Sequence, residues 1–224
     1  MGETGLETIG WWHMQLQIAL DTLDLDACMT LLDEVHEHIG IIEVGTPFII
    51  LEGMRLVRVL SERYPDCAVL ADCKIMDAGE LEADHAFEAG ADIVTVLGVA
   101  ANATIEGVVR SARRHGKQVM VDMIDCPNLA ERAAQIEKLG VDYICVHTAF
   151  DVQAHSAGPL DELRVLNTVL TRARAAVAGG VSLSTIDDIV AEGAEVIVVG
   201  GAIANAQNRA EAARALAERL HTHE

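Results

Sequence analysis

The stretch Leu70-Ala71-Asp72-Cys73-Lys74-Ile75-Met76-Asp77-Ala78-Gly79 decides the fold. It leaves an apolar run of strand character that begins at Ala68 and enters a helical pattern from Glu80, so Asp72, Lys74 and Asp77 stand where a strand gives way to a helix. That junction is where α/β folds carry their chemistry. Side chains alternate along a strand, so Asp72 and Lys74 share one side while Cys73 takes the other. A surface ion pair at a strand end would contribute little. Three charges beside an apolar strand, however, are costly unless they are used.

The same unit recurs on both sides of this stretch. Leu16 to Leu20 reads as a strand, followed by helical spacing from Asp24 to His38. Ile41 to Gly45 is a second strand, and past Pro47 comes a helix whose Leu56, Val57 and Leu60 share a face. Ile93 to Leu97 precedes a helix that Asn102 can cap, and Gln118 to Asp122 precedes one that Asn128 can cap. Tyr143 to His147, Ala175 to Ala178 and Val196 to Val199 are the sixth, seventh and eighth strands, each with a helix after it. Gly90, Gly116, Gly140 and Gly193 close helices just before strands, at a repeat of about 25 residues per unit. Eight consecutive β-α units without a long linker predict an α/β fold, a single-domain (β/α)8 barrel over residues 15–224. An open doubly wound sheet is the alternative that strand count leaves standing. Residues 1–14 read as an N-terminal extension outside that catalytic domain, because they hold both tryptophans and fit no amphipathic period.

Composition narrows the function. Of 224 residues 51% are hydrophobic, enough for a substantial core, and 16 Lys and Arg against 35 Asp and Glu give a formal charge of -19. Such a surface repels nucleic acid and anionic membranes. A phosphorylated small molecule remains compatible, since glycine amides at a helix N-terminus bind phosphate without net positive charge. The five cysteines have no metal or redox spacing and read as reduced thiols of a cytoplasmic protein. The longest apolar runs fall short of the roughly 18 residues of a membrane span, and no signal peptide is expected.

In a barrel the carboxyl ends of the strands hold the function. Here they carry Asp21, Glu43, Asp72 with Lys74, Asp122, His147, Gly179-Gly180 and Gly200-Gly201. Helix capping could explain Asp21 or Asp122 singly, but not the whole set. Glu43 and Asp72 offer oxygen to a hard octahedral cation such as Mg²⁺, whereas zinc lacks a Cys/His cluster. Lys74 beside these acids should stay protonated and act electrostatically or as a proton donor, a Schiff-base lysine being the alternative. His147 at the rim suits a general acid or base. The two glycine pairs, at adjacent strand ends, suit a phosphate.

Asp72-x-Lys74-x-x-Asp77 resembles the D-x-K-x-x-D signature of the orotidine 5'-monophosphate decarboxylase superfamily of phosphate-binding barrels. LQIALDTL, IIEVGTPF, ADCKIMDAG, ADIVTVLGVA, GKQVMVDMI, GVDYICVHTAFDVQA, VAGGVS and VIVVGGAI extend the resemblance from about Gln15 onward, toward the branch that fixes formaldehyde. The resemblance implies a lyase of the aldolase type. It would carry out the Mg²⁺-dependent condensation of D-ribulose 5-phosphate with formaldehyde to D-arabino-3-hexulose 6-phosphate through an enediolate.

By the same resemblance, Glu43 and Asp72 would serve the metal, and Asp21, Lys74 and Asp122 would hold substrate hydroxyls or charge. His147 would transfer the proton, while Gly179, Gly180, Gly200 and Gly201 would hold the phosphate. Asp77 would reach into the neighbouring site of a homodimer. The related branch that decarboxylates 3-keto-L-gulonate 6-phosphate is the main alternative. It tends to carry arginine, glutamate and arginine where this chain has Phe150, Asp122 and Gly201. A barrel that only binds sugar phosphate is a weaker alternative, since lysine, histidine and two metal ligands exceed that need.

Overall fold

In the computed structural model, which describes residues 14–21, 24–155 and 158–221, the strands bury side chains on both faces. Such strands belong to parallel sheets covered by helices. They are β1 (Gln15–Leu20), β2 (Ile41–Val44), β3 (Ala68–Ile75), β4 (Ile93–Leu97), β5 (Gln118–Asp122), β6 (Tyr143–His147), β7 (Arg174–Ala178) and β8 (Val196–Val199). Each pairs in parallel with the next, and β8 pairs with β1, so the barrel is closed and the open-sheet alternative falls. Of the proposed extension over residues 1–14, residues 1–13 lie outside the described residues, and Met14 packs against the core.

Alternation sends one set of side chains outward to the helices and the other inward. The inward set stacks in tiers drawn from alternate strands, as the register dictates. Ile41, Ile93, Tyr143 and Val196 form an apolar tier. Above it stand Gln17, Leu70, Met120 and Ala176, then Glu43, Thr95, Cys145 and Val198, then Ala19, Asp72, Asp122 and Ala178. Polarity rises toward the carboxyl ends. The lower tiers close the barrel to water, and the upper ones carry Glu43, Asp72 and Asp122, all buried.

The outer ring is α1 (Leu25–Val35), α2 (Thr46–Glu52), α3 (Arg55–Arg63), α4 (Gly79–Glu88), α5 (Asn102–His115), α6 (Leu129–Glu137), α7 (Leu160–Asn167), α8 (Ile186–Ala191), the short α9 (Gly201–Ala204) and α10 (Arg209–His221). None of the described helices is long and apolar enough to cross a membrane. Asp24 caps α1 by accepting from the Ala27 amide at 2.8 Å. Where one helix is expected past Pro47 there are two, because Gly53 takes a left-handed φ of 62° and ends α2, whose first turn accommodates the proline. The expected asparagine caps are not made. Ala101 holds the capping position of α5 while Asn102 accepts from Arg132 at 2.5 Å, and Asn128 is left-handed with no capping bond. After β6 a 3₁₀ segment (Phe150–His155) precedes α7. The glycines expected to close helices, Gly90, Gly116, Gly140 and Gly193, all have positive φ.

At the end of α6 the carboxylate of Glu137 accepts from the backbone amides of Thr171, Arg172 and Ala173 at 2.7, 2.7 and 3.0 Å, and from the Thr171 hydroxyl at 3.0 Å. These bonds pin the approach to β7. Burial pushes this carboxyl up, but the hydrogen bonds outweigh it and bring the pKa from 4.5 down to about 2. A pKa depressed by folding stabilises above the unfolded value and is lost as pH falls through the folded one. Glu137→Gln should therefore be less stable than wild type above pH 4.5, with the difference shrinking from there toward pH of about 2. Urea denaturation across that range checks this, and a pH-independent difference would contradict it.

Candidate active site

Six of the sequence-predicted residues meet at the carboxyl ends of β1 to β6. Lys74 is the junction: its Nζ lies 2.6 Å from Asp72 Oδ2 and 2.9 Å from Asp122 Oδ2. Asp122 Oδ2 also lies 2.9 Å from His147 Nδ1. The convergence of Asp72 and Lys74 expected from alternation holds, but simple alternation is not its cause. The β3–β4 register shifts between Ala71 and Ile75, and Lys74 is left-handed with a φ of 45°. This bulge turns the lysine over the barrel mouth, while Cys73 packs outward against the helix-side core.

Three side chains that sequence reasoning passed over complete the arrangement. Thr95 donates to Asp72 Oδ1 at 2.7 Å, and Thr46 donates to Asp72 Oδ2 at 2.8 Å. Gln17 Nε2 donates to Glu43 Oε2 at 2.6 Å. For Thr95 and Gln17 the one sequence signal was a polar residue at an inward position of a largely apolar strand, as in Ile-Val-Thr-Val-Leu, whereas Thr46, the first residue of α2, gave none. Glu43 does not end its strand. It sits opposite Leu70, a tier below Asp72.

The electrostatics are those of an acid cluster with one firm cation. Burial would lower the Lys74 pKa, but Asp72 and Asp122 more than reverse it and keep the ammonium charged. Burial would raise Asp122, yet His147 and Lys74 hold it below the ordinary carboxylate range. Asp122 is thus an anion and must accept from His147, which puts the proton on Nδ1 and leaves Nε2 with a lone pair when the ring is neutral. Glu43 is pushed well above its ordinary value, first by burial and then by Asp72 and Asp21. Asp21, open to the mouth, is also raised, by desolvation on its inner side and by Asp72. Its carboxylate passes where a Cβ on residue 45 would stand, so Gly45 makes room for it.

The glycine pairs lie at the neighbouring strand ends. Gly179 and Gly180 have successive φ values of 93° and 73°, and a Cβ on Gly179 would collide with the Thr148 carbonyl. Register sets Ala178, just before them, beside His147. Gly200 caps α9, and Gly201 begins it. Glycines of positive φ at a strand end and a helix start are backbone settings in which amides can meet an oxyanion. Asp77 does not join the cluster. It is exposed, and its Oδ1 accepts from the Ala78 amide at 2.7 Å, with Ala78 left-handed. Among the described residues no group of three or more His, Cys, Asp or Glu side chains is arranged to hold a metal ion by itself.

Residues 14–216 match the profile of the orotidine 5'-phosphate decarboxylase / HUMPS family. The chain belongs to that family. The 3-hexulose-6-phosphate synthase of Staphylococcus epidermidis is 47% identical over 201 residues, which is 90% of this chain and 96% of that protein. The crystal structure of 3-hexulose-6-phosphate synthase from Salmonella typhimurium superposes with a TM-score of 0.92 at 45% identity, covering 94% of this chain and all of the other. A 3-keto-L-gulonate-6-phosphate decarboxylase from Vibrio cholerae is also similar, with a TM-score of 0.83 over 94% of this chain and 98% of that one, but at 26% identity. Within the family, then, this chain is nearer in sequence to the synthases than to that decarboxylase.

Proposed function

We propose that this chain condenses D-ribulose 5-phosphate with formaldehyde to D-arabino-3-hexulose 6-phosphate. The observation that carries the reading is the Lys74–Asp122–His147 chain at the barrel mouth, in a protein whose relatives named 3-hexulose-6-phosphate synthase match nearly its whole length. The carbon nucleophile requires loss of a weakly acidic C1 proton beside the carbonyl, and the resulting charge spreads over two adjacent oxygens. His147 Nε2 takes that proton, with Asp122 holding the ring by Nδ1 and stabilising the imidazolium formed; a base so placed contributes about 10²- to 10⁴-fold. Lys74 offers a fixed positive charge to the developing enediolate without losing its own proton. C1 then bonds to the formaldehyde carbon, and the formaldehyde oxygen takes up the proton, so no group leaves.

Glu43 and Asp72 suit a Mg²⁺ ion as oxygen donors, with substrate and water completing the shell, since Mg²⁺ commonly uses one or two carboxylates. The excess of buried acid over cation, most evident at Glu43, fits such an ion. When bound, the ion would act as a Lewis acid toward the two substrate oxygens that gain charge. Gly179, Gly180, Gly200 and Gly201 hold the phosphate, and Asp21 a substrate hydroxyl. With Mg²⁺, formaldehyde consumption should require ribulose 5-phosphate and stop with EDTA, while the circular dichroism and melting temperature stay those of a folded barrel. Preferential release of CO₂ from 3-keto-L-gulonate 6-phosphate would assign the chain to the decarboxylase reaction instead.

Asp77 belongs, on this reading, to the other subunit's site in a homodimer. Met76 and Leu81 beside it are 53% and 60% exposed, an apolar margin suited to a covered surface. Lys74→Ala and Asp77→Ala homodimers should each be nearly inactive. In a mixed dimer one site of two keeps both residues, and random pairing makes half the dimers mixed, so mixing should restore about a quarter of wild-type activity. No recovery in dimers shown by tags to be mixed would put Asp77 in its own chain's site or outside catalysis.

A further inference from the structure

Thr95 links the backbone of Lys74 to the carboxylate of Asp72, which the lysine tip also meets. Its hydroxyl accepts from the Lys74 amide at 2.9 Å and donates to Asp72 Oδ1 at 2.7 Å. Both roles of the hydroxyl are thereby used, and its hydrogen has one place to point. The side chain is 3% exposed, so water does not stand in for it. The Lys74 amide falls inside the register shift between β3 and β4, where the ladder offers it no strand partner, and the residue is held left-handed, a conformation lysine rarely adopts. A buried amide without a partner is disfavoured. Thr95 supplies that partner, and it spends the same atom on fixing the Asp72 carboxylate.

We infer that Thr95 is a positioning residue that couples the Lys74 bulge to the rotamer of Asp72, so that one hydroxyl sets both the ammonium and the carboxylate against the substrate. The inference rests on the proposed aldol chemistry for its kinetic consequence, but its geometric core does not. Thr46 does not take this role, because its hydroxyl donates to the Asp72 carbonyl and Oδ2 at 2.7 and 2.8 Å, while the Lys74 amide donates to Thr95. The two threonines grip opposite oxygens of one carboxylate, yet only Thr95 reaches the backbone of the lysine.

The test compares Thr95→Val, which keeps shape and removes the hydroxyl, with Thr95→Ser, which keeps the hydroxyl. A lost hydrogen bond to a charged group corresponds to about 10- to 100-fold. In Thr95→Val, kcat per folded molecule should fall by about that factor with KM for ribulose 5-phosphate little changed, and Thr95→Ser should restore most of it. A purely structural threonine would lower the melting temperature and leave kcat of the folded enzyme unchanged, which would overturn the inference. The crystal structure of Thr95→Val supplies a reading that needs no turnover. Lys74 out of the left-handed region, with its ammonium off Asp122, supports the coupling; an unchanged Lys74 backbone with both carboxylate contacts kept refutes it. Should the wild-type protein fail to turn over the pentose phosphate, the aldol reading falls, and the crystal structure still decides the role of Thr95.

Discussion

The contact on which the rest of the site depends is the lysine ammonium held between two buried carboxylates, 2.6 Å from Asp72 and 2.9 Å from Asp122. Taking such charges out of water costs several kcal/mol per ion, and removing one partner of a buried pair typically costs about 3–5 kcal/mol because the other is left uncompensated. Here the cost is offset by mutual neutralisation and by the hydrogen bonds of Thr46, Thr95 and His147. One lysine does not neutralise the whole cluster. Glu43, with Gln17 as its one side-chain hydrogen-bonding partner among the described residues, has its proton affinity raised well above the ordinary value, first by burial and then by Asp72 and Asp21. That residual demand for positive charge suits a site that handles an anionic intermediate.

The barrel makes this concentration of charge tolerable. Tiers of Ile41, Ile93, Tyr143 and Val196 seal the lower end, so the polar tiers need satisfy only one another and the mouth. Because successive tiers come from alternate strands, Glu43 lies beneath Asp72 and not beside it. The strained Lys74 backbone costs of order 1–3 kcal/mol. It persists because β4 holds it through Thr95 and the two carboxylates hold its tip.

The barrel was legible in the sequence because its unit repeats and because polar or glycine residues interrupt apolar strands at the same end each time. The acids, Lys74 and His147 stood out for the same reason: each is an expensive residue in an apolar setting. Thr95 and Gln17 did not stand out. Threonine is at home in any strand, and its importance arises only when the register brings it against the bulge of a neighbour. The left-handed turns at Lys74 and Asn128 were hidden because neither residue is glycine, and Asn128 accordingly fails to cap α6. The second helix after β2 was announced by Gly53, whose neighbours looked continuous in apolar spacing. Asp77, singled out in the sequence by its motif spacing, stands exposed outside the cluster, its carboxylate accepting from the Ala78 amide.

The central claim, that His147 removes the C1 proton while the ammonium of Lys74, held by Asp72 and Asp122, stabilises the resulting charge, is tested most directly without formaldehyde. Ribulose 5-phosphate incubated with the protein and Mg²⁺ in D₂O should exchange one C1 hydrogen for deuterium, visible as loss of a single proton resonance. His147→Asn should slow that exchange by about 10²-fold or more while still binding the phosphate ester. Absence of exchange by the wild-type protein under conditions where it consumes formaldehyde, or undiminished exchange in His147→Asn, would contradict it.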